Sequence, residues 1–141
     1  MTRKESLFML QEYVSMKAEE LRYGNKVTLG DGIVVRTVIE TREKSVYLQG
    51  LYSVSVDNVK PIELNDEILD KNFEIDKWSK KHWVLANCWQ MWRNPNYGYI
   101  LGTLDVDEFG GGHYIPCIPC TYFHELQNLL VDLRIDKKIE I

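Results

Sequence analysis

Apolar positions change their period along the chain, and each change predicts a change of element. Near the start, Leu7, Leu10, Val14 and Leu21 recur at spacings of three, four and seven, with Phe8, Met9 and Met16 widening the stripe. That period predicts an amphipathic helix over residues 4–22, stopped by Gly24 and Asn25. Its apolar face either packs on the domain or mediates self-association, since a helix gains most of its stability by burying one face.

From Lys26 the period shortens to two, and β-branched residues dominate. The pattern predicts strands over Lys26–Leu29, Ile33–Glu40, Ser45–Gln49 and Leu51–Val56. Gly30-Asp31-Gly32 and the charged stretch Thr41–Lys44 read as their turns. Such a sheet, curled on itself, is a small SH3-like barrel without exposed edges. Pro61 ends it, because proline has no amide hydrogen to donate. Asn65 then reads as an N-cap, with Asp66 and Glu67 at the positive end of a short helix over Asp66–Asn72.

The second half predicts strands over Trp83–Trp89 and Tyr97–Val106, joined through the turn signal Arg93-Asn94-Pro95-Asn96. Glu108–Gly112 reads as a loop, and His113–Ile118 as a third strand interrupted by Pro116. Thr121–Arg134 carries the clearest helical stripe: Tyr122, Leu126, Leu129, Leu130 and Leu133 share one side, with Thr121 at the N-cap position and Glu125 nearby. Lys137–Ile141 alternates Ile139 and Ile141 and reads as a last strand. The fold class expected is α+β: an N-terminal helix (1–22), a small antiparallel SH3-like barrel or sheet (23–64), and a second antiparallel sheet packed by a C-terminal helix (65–141). The parts are expected to share one compact unit.

Composition narrows the function classes. The chain has 141 residues, 45% apolar and 27% charged, which is globular and long enough for a core without staples. The net charge of −4 and the lack of a basic stripe disfavour double-stranded nucleic acid. No apolar run approaches the roughly 20 residues that span a bilayer, and the start lacks the apolar region of a signal peptide. Three cysteines, an odd number, point away from a disulfide framework and towards a reducing cytoplasm.

Three phrases carry a resemblance. They are Met16-Lys17-Ala18-Glu19-Glu20-Leu21-Arg22-Tyr23-Gly24-Asn25, Val59-Lys60-Pro61-Ile62-Glu63-Leu64-Asn65-Asp66-Glu67-Ile68-Leu69, and Tyr122-Phe123-His124-Glu125-Leu126-Gln127-Asn128-Leu129-Leu130. Together they resemble a widespread family of small uncharacterised proteins of Bacteroidetes genomes, their phages and other mobile elements. Residues 1–15 precede the family's usual start, which leaves Met1 and Met16 both open as initiation sites. The resemblance implies a mobile-element setting inside a host cell, with which a counter-defence role fits. It implies no activity.

Candidate chemistry is concentrated in two places. The first is His113, Cys117, Cys120 and His124, with three residues between each histidine and its nearest cysteine. Two thiolates and two imidazoles could hold a zinc ion, and Cys117-Ile-Pro-Cys120 between a strand and a helix could be a redox pair. Against both stands the plainer expectation that cysteine fills a core. The Gly110-Gly111-Gly112 run feeds a strand rather than a helix, unlike a phosphate loop, and the nearby acidic trio Asp105, Asp107 and Glu108 lacks a calcium-loop spacing. No cofactor is implied.

The second place is aromatic. All four tryptophans fall within residues 78–92. Trp83, Trp89, Trp92, Arg93, Tyr97 and Tyr99 are the candidate binding residues, large anchors near a hairpin end beside a cation. They either build the core or meet a partner. The favoured function is a non-enzymatic adaptor that binds a host or phage protein, with self-association through the N-terminal helix as a further contact. The alternative is a small-ligand or nucleotide-binding protein with Trp83, Trp92, Tyr97 and Arg93 lining a pocket between the two halves.

Overall fold

The computed structural model describes residues 17–30, 34–50, 53–77, 82–86, 88–96, 98–106, 108 and 111–141. Most of the expected N-terminal helix, and Tyr97 of the binding set, lie outside them. The chain divides into two compact units, Met1–Ile62 and Glu63–Ile141. Both are built on antiparallel sheets, one of four strands and one of five, and the second unit carries two α-helices, so the class is α+β. Among the described residues no helix is long and apolar enough to cross a membrane.

The described end of the first segment corrects the expectation of a helix reaching Arg22. Ala18–Glu20 forms a single 3-10 turn between extended Lys17 and Leu21. Gly24, at φ +88°, turns the chain, and the buried Asn25 side chain accepts a hydrogen bond from the Arg22 amide at 2.8 Å. The stop signal therefore acts, but on a chain that has already left the helical conformation.

The first sheet is a meander of β1 (Lys26–Val27), β2 (Arg36–Thr41), β3 (Ser45–Leu48) and β4 (Ser53–Ser55), in that order. Alternation sends Val46 and Leu48 of β3 inward. With Ala18, Leu21, Val27, Val38, Val56 and Val59 they form the unit's core. After β4, Ser55 caps a 3-10 turn over Val56–Asn58 by accepting from the Asp57 amide. The chain then returns to β1: Thr28 and Lys60 exchange two backbone hydrogen bonds, at 3.0 and 2.7 Å.

In the second unit, α1 (Asp66–Asn72) starts as its sequence dictates, with the Asn65 side chain accepting from the Ile68 amide at 2.9 Å. The second sheet runs β5 (Glu74–Ile75), β6 (His82–Ala86), β7 (Trp89–Asn94), β8 (Gly98–Val106) and β9 (Gly112–Cys120), each paired antiparallel with the next. Two strands differ from expectation. The segment read as one strand, Trp83–Trp89, turns at residues 87–88, and Trp89–Asn94 is a strand of its own. Alternation continues through this tight turn and no glycine marks it, so the pattern hides it. The turn at Asn94-Pro95-Asn96 is present, set by the Asn94 side chain accepting from the Asn96 amide at 2.8 Å and by Gly98 at φ +79°.

The other difference is β9, which runs unbroken through Pro116 and Pro119. It is an edge strand, so only one side of it needs donors. Pro116 and Pro119 are three apart, and regular alternation would aim one of their nitrogens at β8. A register shift between Leu101 and Gly102 absorbs the extra residue and lets both nitrogens point away from β8. Helix α2 (Phe123–Asp132) follows, capped one residue later than expected. Its N-cap is Tyr122, and the Glu125 carboxylate accepts from the amides of Tyr122 at 2.9 Å and Thr121 at 3.1 Å. Residues 137–141 form no strand. Instead, the buried Asn72 side chain accepts from the Glu140 amide and donates to its carbonyl, while Ile139 is buried.

Candidate functional site

Register fixes which side chains of the second sheet stand together. Trp83 lies opposite Met91, and Met91 opposite Leu101. With period two, Trp83, Leu85, Met91, Tyr99, Leu101 and Cys120 share one face, and all are buried. Helix α1 is tied to this face by polar side chains. The Trp83 indole donates to Asp70 at 2.8 Å. The Tyr99 hydroxyl donates to Asp66, and Arg93 donates to Asp66 at 2.7 Å and to the Tyr99 oxygen at 3.1 Å. Burial and the hydrogen bond to Asp66 raise the Tyr99 pKa, so it stays a donor. Trp83, Arg93 and Tyr99 thus fasten a helix to a sheet.

The opposite face carries Glu74, His82, Val84, Gln90, Trp92, Ile100, Gly102, Leu104 and Tyr114 by the same register. Its centre is an aromatic cluster. His82 and Trp92 are cross-strand partners with ring centroids 5.3 Å apart and nearly parallel planes. Tyr114 meets His82 edge-on at 4.1 Å and Trp92 at 5.5 Å. All three rings are half-buried. Gly102 is what lets Trp92 lie down on the sheet. A Cβ there would stand 2.5 Å from the Trp92 ring and 2.3 Å from the Ile115 carbonyl oxygen.

A polar chain supports the cluster from β5. Gln90, buried among these rings, donates through Nε2 to Asp76 at 2.8 Å, and its Oε1 stands 3.3 Å from His82 Nδ1. That contact places the His82 proton on Nδ1. The Tyr114 hydroxyl reaches the same Asp76 oxygen at 3.4 Å, and desolvation with the Asp76 charge raises its pKa.

The candidate binding set is therefore split between two faces. Trp92 is on the open side; Trp83, Arg93 and Tyr99 are on the helix side; Trp89 is half-buried at the start of β7. The side chains imagined as lining a pocket together do not share a face. His82, Gln90, Tyr114 and Asp76 escape a reading from sequence because they join Trp92 only once the turn at 87–88 sets β6 against β7. That turn was the missing signal.

The cysteine and histidine set is dispersed. His113 is exposed and lies 3.5 Å from Asp105 across the β8–β9 pair. Cys117 is exposed, with its Sγ 3.4 Å from the Ile115 carbonyl, and Cys120 is buried. Residues three apart on a strand sit about 10 Å apart, beyond the roughly 7 Å that a disulfide reaches, so Cys117 and Cys120 are not a redox pair in this conformation. Burial pushes the Cys120 thiol far up and lowers His124, in the first turn of α2, to about 4. No group of three or more metal-ligating side chains occurs among the described residues. No protein-family model matches the chain, and no curated protein or solved structure matches it either.

Proposed function

We propose that the chain is a non-enzymatic protein-binding module, of the accessory kind that the mobile-element phrases in its sequence resemble. The observation that carries the binding reading is the Trp92–His82–Tyr114 cluster on the sheet face away from the helices. Half-buried aromatics fixed by a hydrogen-bonded carboxylate are pre-ordered, so a partner that covers them gains apolar area with little loss of side-chain freedom. The non-enzymatic part is supported by the scattering of the thiols and imidazoles over separate sites. For the first unit we propose closure as an SH3-like barrel. A meander that returns through a 3-10 turn to pair with its own first strand is how a small barrel loses its edges.

The test is affinity capture from a host-cell lysate, comparing the wild type with a Trp92→Ala, Tyr114→Ala double variant whose fold is checked by circular dichroism. Recovery of specific partners is expected to fall about tenfold or more. Equal recovery by a folded variant would reject this face as the contact.

A further inference from the structure

We propose that the Trp92 face recognises an arginine side chain of its partner. The inference rests on the binding reading above and names the chemistry of what is bound.

Charge comes first. Among the described strand residues of this face, Glu74 is the one carboxylate, and none is lysine or arginine. Asp76 follows directly after β5 and turns its carboxylate to the cluster, where the Gln90 amide and the Tyr114 hydroxyl hold it. A wholly apolar partner covering these rings would strip water from two carboxylates and offer nothing in return. A cationic partner compensates both.

Shape comes second. Trp92 and Tyr114 are tilted against each other by 54°, beside the shallow positions Gly102 and Pro116. Rings that stand next to glycine and proline present their surface rather than a walled pocket. A guanidinium is planar, stacks on such a ring and still donates sideways to a carboxylate in a forked geometry. A lysine ammonium is a compact, strongly hydrated charge and cannot do both at once. The Asp76 carboxylate, pinned beside the rings, fits the forked donor.

The probes are the blocked peptide acetyl-Gly-Arg-Gly-amide and its lysine and citrulline counterparts, titrated into the full chain. The readout is the Trp92 indole N–H signal in NMR, assigned by its loss in Trp92→Phe. The arginine probe should shift that signal and saturate, with the lysine probe weaker and the citrulline probe inert. Asp76→Asn keeps an acceptor for Gln90 and should weaken the arginine probe about fivefold, the size of a half-exposed ion pair. Equal shifts by arginine and citrulline, or an unmoved Trp92 signal, overturn the proposal. So does a shift that appears with protein concentration alone, which would give the face to a second copy of the chain. If lysate capture still depends on Trp92 and Tyr114 while arginine shows no preference, only the guanidinium inference fails. If neither dependence is found, the binding reading fails with it.

Discussion

At the scale of single residues, the same side-chain type takes opposite duties according to strand parity. Trp83 and Trp92 both look like anchors in the sequence. One is buried and donates to Asp70; the other lies half-open over Gly102. His124 shows what burial does to a group that could have been chemical. It is 1% exposed, its Nδ1 lacks a partner, and burial holds its pKa near 4 against an ordinary 6.5. The unfolded chain therefore binds the proton first as pH falls. This residue's contribution is full above pH 6.5 and is lost as pH drops towards 4. The loss amounts to at most about 3 kcal/mol. Urea melts between pH 7 and 4 should show the decline, and the His124 ring should not titrate by NMR until near the lower value. A His124 titration at its ordinary value would refute the assignment.

At the scale of elements, what was legible depended on whether the signal was local. The helix over Asp66–Asn72 was readable because Asn65, Asp66 and Glu67 announce it and cap it within one turn. The strands of the first sheet were readable from alternation. The turn at 87–88 was not, because two alternating runs abut there without a glycine. Its loss concealed the candidate site, since His82, Gln90 and Trp92 meet only through pairing across that turn. Pro116 misled in the other direction. It reads as a strand breaker, and its tolerance depends on an edge position that sequence alone does not reveal. Gly102 sits at the tightest point of β8, and Gly102→Ala should cost about 1–3 kcal/mol by overpacking. Because the Ile115 carbonyl oxygen blocks the same space, adding Trp92→Ala should not restore stability. Full recovery in the double variant, measured by thermal melting, would place the clash on Trp92 alone.

At the scale of the whole molecule, each unit has its own buried side chains. Leu48 anchors the first and Leu101 the second, both essentially without exposure. Leu48→Ala and Leu101→Ala should each cost about 2–5 kcal/mol. Hydrogen exchange should report the first loss at the amides of β2 and β3 and the second at those of β7 and β8. Unchanged protection in the strands flanking either leucine would remove it from the core.

The doubled proline of β9 has a consequence for how the protein behaves in a crowded solution. The outermost strand of the second sheet presents a border from which two amide donors have been deleted, so another chain cannot zip onto it along its full length. Replacing both prolines with valine would restore a continuous hydrogen-bonding rim and convert a terminated sheet into a template for fibril growth.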